Sequence, residues 1–261
     1  MTDQTGSTQA PTVSLTTDIG EGFGKWVLAD DDALLGIVTS ANVACGFHAG
    51  DPDIMRRTCA TAARNGVAIG AQVSYRDLAG FGRRYLAVPR ENLINDLLYQ
   101  IGALEGFARV EGTRVSYVRA HGSLYNVAAR DEEHAGAIVE ATRLYDPSLP
   151  VLCQTGTATW ELAEQAGLTP VAEAFVDRAY TAEGLLLPRS EPDALLTDPQ
   201  VAAQRAVRMV FEGRITAHDG STIPVRAQSL LVHCDTPGAV QIARATREAL
   251  VAAGANLVPQ S

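Results

Sequence analysis

No stretch of the 261-residue chain approaches the ~18 consecutive apolar residues of a membrane-spanning helix. Cysteine is scarce, at four. Cys45, Cys59, Cys153 and Cys234 have no C-x-x-C spacing, which excludes a zinc knuckle and a thioredoxin-like motif and fits a reduced, cytoplasmic compartment. Basic residues are outnumbered, 21 to 30, for a net charge of −9. That balance excludes nucleic acid or an anionic membrane as the main partner, but not a small anionic substrate in a locally basic pocket. A phosphate cradle is also lacking. Gly20-Glu-Gly-Phe-Gly24 is not G-x-G-x-x-G, and Lys25 is followed by Trp26, so the G-x-x-x-x-G-K-[ST] pattern fails as well. Residues 1–12 carry neither a basic segment nor an apolar core. They are expected to form a loose tail before a single domain over 13–261.

What is present is a recurring unit: a short apolar run, a polar loop and an amphipathic helix. The run Asn42–Cys45 delivers His48, and Asp51-Pro52 then starts a helix, with Asp as N-cap and Pro at the first helical position. Comparable runs are Val13–Thr17, Val67–Ala71, Val115–Arg119, Pro150–Cys153, Leu168–Phe175 and Ser229–Val232. They lead respectively to Asp18 and Glu21, to Gln72 and Asp77, to a loop over His121–Asn126, to Gln154, to Asp177-Arg178, and to His233-Cys234-Asp235. Helical patterns fill Asp53–Asn65, Pro89–Arg109, Ala135–Leu144, Ala158–Ala166, Val201–Phe211 and Ala239–Ala253. Gly213–Val225, with Asp219-Gly220 at its centre, reads as an inserted hairpin. Strand–helix alternation almost without hairpins calls for parallel pairing, and this spacing suits a closed α/β barrel better than an open sheet.

In such barrels the active site lies at the C-terminal ends of the strands. His48, His121 and His233 all follow strand ends, and together they point to a catalytic centre. His134, among Asp131, Glu132 and Glu133, reads as solvated, and His218 as a turn residue. Glu173 sits inside an apolar run, where a carboxylate is costly unless paired or functional, so it is a general-base candidate. Asp51 and Asp235 are site candidates that double as helix N-caps. Arg178 and Arg189 are possible clamps for an anionic group, and Asp177 and Arg178 are a possible ion pair. Cys45 reads as core, and Cys234 as structural before reactive.

The blocks Thr17-Asp-Ile-Gly-Glu-Gly-Phe-Gly24, Thr39–Met55, Asp77-Leu-Ala-Gly-Phe-Gly-Arg-Arg84 and His121-Gly-Ser-Leu-Tyr-Asn126 resemble the LamB/YcsF family. So do Glu173-Ala-Phe-Val-Asp-Arg-Ala-Tyr180 and Val232-His-Cys-Asp-Thr-Pro-Gly-Ala-Val240. The resemblance runs in order from about Val13 to Pro259. It implies an irregular seven-stranded β/α barrel of the glycoside hydrolase/deacetylase type. It implies ATP-dependent opening of a lactam, 5-oxo-L-proline, to L-glutamate in a complex with subunits B and C, which would handle ATP. From their strand-end registration, His48, His121, Glu173, Asp177 and Asp18 are the catalytic candidates, and Glu21, Asn42, Asp51, Asn126, Arg178, Arg189, His233 and Asp235 the substrate-binding candidates.

The family's first strand usually reads Asp-Leu-Asn-x-Asp, and here it reads Ser14-Leu-Thr16-Thr-Asp18. The usual Ala-His-Pro-Gly-Tyr-Pro-Asp is Ala71-Gln-Val-Ser-Tyr-Arg-Asp77. Lys-Pro-His-Gly is Arg119-Ala-His-Gly122, and His-Gly-Asp is His233-Cys234-Asp235. Related barrels bind a divalent metal through a strand-end Asp and two His, so a metal here would fall to His48 and His121. A metal-dependent deacetylase-like hydrolase and a diverged, non-catalytic regulatory paralogue are the alternative expectations. A homo-oligomer is compatible with all of them.

Overall fold

The computed structural model describes residues 10–260. In chain order its elements begin β1 (Thr12–Ile19), α1 (Asp31–Leu35), β2 (Ser40–Ala44), α2 (Pro52–Asn65) and β3 (Ala68–Val73). They continue α3 (Arg90–Val110), β4 (Val115–Ala120), α4 (Gly122–Ala128), α5 (Glu132–Tyr145), β5 (Val151–Cys153) and α6 (Ala158–Gln165). The last are β6 (Pro170–Phe175), α7 (Pro199–Phe211), β7 (Arg214–Thr216), β8 (Thr222–Pro224), β9 (Ser229–Val232), α8 (Ala239–Ala252) and β10 (Asn256–Leu257).

Strands β1, β2, β3, β4, β5, β6 and β9 pair in parallel, and β9 returns to β1 to close the barrel. The seven apolar runs are these seven strands, and β7–β8 is the antiparallel hairpin. Expected helix starts also hold. The Asp51 carboxylate accepts from the Ile54 N–H, Pro52 opens α2, and Gly66 at φ 66° ends it. Two features differ. The stretch after His121 is helix α4 rather than a loop, because Leu-Tyr-Asn-Val-Ala continues the turn that Gly122 begins. Also, β1 starts at Thr12 and pairs with β10, so the end of the expected tail is built into the sheet. Residues 1–9 of that tail lie outside the described residues.

Alternation along the strands sends Leu15, Ile19, Val43, Ile69 and Val118 outward into the apolar layer beneath the helices. The inward positions are mostly polar. Register places Asp18, Asn42, Gly70 and Tyr117 side by side, and Gln72, Arg119 and Leu152 beside one another. Tyr117, Leu152 and Val171 form a separate apolar plug inside the barrel.

Gly70 belongs to that interior for a steric reason. A Cβ there would lie 2.0 Å from Tyr117 Cε2. Gly70→Ala is therefore expected to displace the Tyr117 ring and cost about 3 kcal/mol, as overpacking of a filled interior does. Thermal unfolding measures this, and an unchanged midpoint would contradict the packing described.

Candidate active site

The first layer is a buried polar chain across the barrel. The Tyr117 hydroxyl donates to Asn42 Oδ1 at 2.8 Å, and Asn42 Nδ2 donates to Asp18 Oδ1 at 3.0 Å. Arg119 Nη1 donates to the same Asp18 oxygen at 3.3 Å. Arg119 Nε donates to both oxygens of Glu173, at 3.2 and 3.3 Å. Burial pushes Glu173 above the usual carboxylate range, with Arg119 opposing it. Burial would strip Arg119 of its proton, but Glu173 and Asp18 hold it charged. One charged guanidinium thus stands between two carboxylates in a region almost without water. Asn42 serves Asp18, not the open mouth.

Above this layer lie Glu21, His48 and His121. The two imidazoles stack at 4.1 Å between centroids, 16° apart. Gln72 links the set: its Oε1 bonds His48 Nε2 at 3.2 Å, and its Nε2 donates to Glu21 Oε1 at 2.9 Å. The Cys234 thiol donates to Glu21 Oε2 at 3.0 Å, and His121 Nε2 lies 3.6 Å from Glu21 Oε1. Burial lowers His48 to about 4, against the pull of the Gln72 hydrogen bond. Burial, then the nearby His48 and Arg119, put His121 well below its ordinary range. Burial and Asp18 raise Glu21 to about 8. Gly82, at φ 65°, seats the loop on the ring pair, since a Cβ would meet His121 Nδ1 and His48 Cβ at 2.9 Å each.

The third group is a dyad. Asp177 takes the His233 Nδ1–H at 3.0 Å, the His233 backbone N–H at 3.0 Å and the Thr236 hydroxyl at 2.6 Å. Burial would raise Asp177, but His233 and Thr236 outweigh it and keep the carboxyl below its usual range. With Nδ1 committed to Asp177, His233 offers Nε2, and the side chain lines a cleft of ≈ 470 Å³ at the C-terminal mouth. Phe175 stacks on its ring at 5.5 Å. The cleft is cationic, with Arg83, Arg119, Arg178 and Arg189 on its walls, and Asn126 and His121 also line it. Asp235 pairs with both Arg83, at 2.6 Å, and Arg189, at 3.1 Å.

The structure therefore gathers Asp18, Glu21, His48, His121, Glu173, Asp177, Arg178, Arg189, His233, Asp235 and Asn126 around one barrel end. Asp51 stands apart, with its oxygens on the Ile54 and Gly24 backbone N–H groups. His134, read as solvated, is buried. Its Nδ1 bonds Asp131 at 2.9 Å and its ring packs edge-on against Tyr75, because the first turn of α5 lies against that loop. Gln72, Arg83, Arg119, Tyr117 and Thr236 join the site without being marked by the sequence pattern as site residues. For Arg119 a signal exists: it interrupts the run Val115–Ala120 just as Glu173 interrupts its own strand.

Glu21, His48 and His121 each offer one ligand atom, all within 4.8 Å of one another. The donors suit a divalent cation. Burial holds both imidazoles below their ordinary range, which favours the neutral, ligating form, and two His with a carboxylate is a metal-binding set.

Comparison with known proteins bears on the family and the fold. The LamB/YcsF family profile matches residues 13–261. The 5-oxoprolinase A subunit of Streptomyces avermitilis is 59% identical over 242 residues, covering 93% of this chain and 97% of its own. The Mycobacterium ulcerans protein of the same name is 54% identical over 244 residues, covering 94% and 97%. The crystal structure of a lactam utilization protein from Thermus thermophilus superposes with a TM-score of 0.90 at 45% identity, covering 95% of this chain and 99% of that one. With a profile matched from the first strand to the last residue, and a barrel that superposes throughout, the chain belongs to the LamB/YcsF family.

Proposed function

We propose that the barrel mouth hydrolyses the amide bond of 5-oxo-L-proline to give L-glutamate, as the A subunit of an ATP-dependent 5-oxoprolinase working with subunits B and C. Support comes from relatives bearing that name and from one observation above all. The Asp177-held His233 and His121, which is stacked on His48, line the same arginine-rich cleft. ATP handling falls to B and C, because this chain has no phosphate loop. The four unbridged cysteines fit a cytoplasmic complex, and among the described residues no helix is long and apolar enough to cross a membrane.

In this reading a water oxygen bonds to the carbonyl carbon while its proton passes to His233 Nε2. The C–N bond then breaks as the ring nitrogen takes the proton back from the His233 imidazolium, leaving the carboxylate and amine of glutamate and restoring neutral His233. Asp177 holds the imidazole in the accepting tautomer and stabilises its charged form. Glu21, His48 and His121 would hold a divalent cation, which when bound polarises a carbonyl as a Lewis acid. Asp18 and Glu173 act through Arg119, which they fix at the floor of the cleft. A second reading, a metal-dependent amide hydrolase that needs neither ATP nor partners, is favoured by the same Glu21–His48–His121 convergence.

The test is glutamate release from 5-oxo-L-proline by the chain with its cognate B and C subunits, with and without ATP. ATP-dependent release that falls sharply in His121→Ala and in Glu173→Ala is expected. Full activity in both variants would remove the assignment. ATP-independent, metal-stimulated amide hydrolysis by the chain alone would favour the second reading.

A further inference from the structure

Of the two buried arginines that line the cleft, Arg119 and Arg178, only Arg178 lacks a carboxylate partner among the described residues; Arg130, also without one, is exposed. Arg83 and Arg189 share Asp235, and Arg119 is held by Asp18 and Glu173. Arg178 is buried, lines the cleft beside His233, and among the described residues forms no salt bridge. Its neighbour in sequence, Asp177, has its oxygens committed to His233 and Thr236. Among those same residues the side-chain hydrogen bond of Arg178 is neutral, from Nη2 to the Leu187 carbonyl at 2.5 Å. Nε is sealed without a partner. Burial, then Arg189 and Arg83, pull the guanidinium down to about 10 against the opposing charge of Asp177, so on balance its surroundings disfavour the charge it carries. A buried cation without a counter-ion is costly in an empty site. A planar fork with unused donors is the usual answer to a carboxylate or phosphoryl group. Leu187 lies on the segment Leu185–Arg189, which forms one wall of the same cleft, so the unsatisfied charge is enclosed there and not on open surface.

We propose that Arg178 is the oxyanion subsite of the cleft, supplying the missing counter-ion partner for an anionic group on the substrate. This rests on the lactam reading for the substrate's identity, but not for the existence of the subsite. It separates Arg178 from Arg189. Arg189 is already paired and shapes Asp235, whereas Arg178 discriminates between a lactam carrying an acid group and one without.

Calorimetry and thermal unfolding of the full chain test this with three probes: 5-oxo-L-proline, 2-pyrrolidone, which lacks the carboxylate, and inorganic phosphate. Arg178→Gln is expected to weaken 5-oxo-L-proline about 10- to 100-fold, the weight of a charge-assisted pair. Arg178→Lys should restore part of that loss. Affinity for 2-pyrrolidone should be equal in wild type and variant. The ligand-free melting temperature should rise in Arg178→Gln, because an uncompensated charge is removed, a response that a purely structural arginine would not give. Phosphate that competes with 5-oxo-L-proline, and is lost in Arg178→Gln, identifies the oxyanion as phosphoryl; failure to compete identifies it as carboxylate. Phosphate binding that depends on Arg178 while 5-oxo-L-proline does not bind leaves the subsite standing and removes the lactam reading. Equal 5-oxo-L-proline affinity in folded Arg178→Gln overturns the subsite and leaves the lactam reading intact. So does a melting temperature that falls with affinity unchanged. A wild-type chain that binds none of the three probes also overturns it.

Discussion

Replacing His233 with alanine is expected to lower turnover of 5-oxo-L-proline by the assembled complex about 10²–10⁴-fold, the usual weight of a positioned general base. The melting temperature should fall, because the ring's bond to Asp177 and its stack on Phe175 are lost, but the fold should persist because two contacts at this corner survive. The His233 backbone N–H and the Thr236 hydroxyl still reach Asp177. The prediction follows from the orientation of the ring. Nδ1 faces the carboxylate at 3.0 Å, so the lone pair on Nε2 is left for the cleft. Free imidazole added to His233→Ala should recover part of the rate, since the Ala leaves a slot beside Phe175. Asp177→Asn should also lower the rate, by allowing the wrong tautomer. Because Asp177 is held below the usual carboxylate range, it stays ionised wherever the imidazole is neutral and able to act as the base. A His233→Ala complex with wild-type kcat would remove the dyad from the mechanism.

The second large effect is on stability. Arg119→Met is expected to cost about 3–5 kcal/mol, because it leaves two buried carboxylates without their cation. Both oxygens of Glu173 lose the Arg119 donor, and Asp18 Oδ1 keeps only Asn42, in a single change. The deficit should depend on pH. Glu173 is already raised by burial with Arg119 opposing, so removing Arg119 raises its folded-state pKa further. A carboxyl raised in the folded state favours folding below its unfolded pKa near 4, and that contribution is lost as pH rises. The variant should therefore be closer to wild type at pH 5 than at pH 8. Combining Arg119→Met with Glu173→Leu should return part of the lost stability, since no isolated charge then remains at that position. Urea titration at the two pH values measures all of this. A deficit that grows on acidification would contradict the arrangement.

The barrel is legible in the sequence because its seven strands are short apolar runs that each end in a polar corner, and because closure needs only that the last run, Ser229–Val232, return to the first. The positions of His48, His121 and His233 at strand ends follow from the same pattern. Their partners do not. Asp18 meets Arg119 across 101 residues, and Cys234 meets Glu21 across 213, contacts made by barrel closure and encoded in no local spacing. Glu173 is conspicuous as a charge in an apolar run, and the same reasoning applied to Arg119 supplies its partner. The Asp177-Arg178 pair illustrates the opposite error. Adjacent residues on a strand end point different ways, so Asp177 turns to His233 while Arg178 faces Leu187. Gln72 replaces a histidine in the motif the chain resembles, and only the folded structure gives it a task, linking His48 to Glu21.

The central claim is that the C-terminal mouth of this barrel is where the substrate binds. The most direct measurement follows the ring resonances of the five histidines by NMR while the full chain is titrated with 5-oxo-L-proline. Saturable shifts are expected at His121 and His233, with a smaller shift at His48 behind them and none at His134 or His218. Shifts confined to His134 or His218, or saturable binding that leaves His121 and His233 unmoved, would contradict that claim.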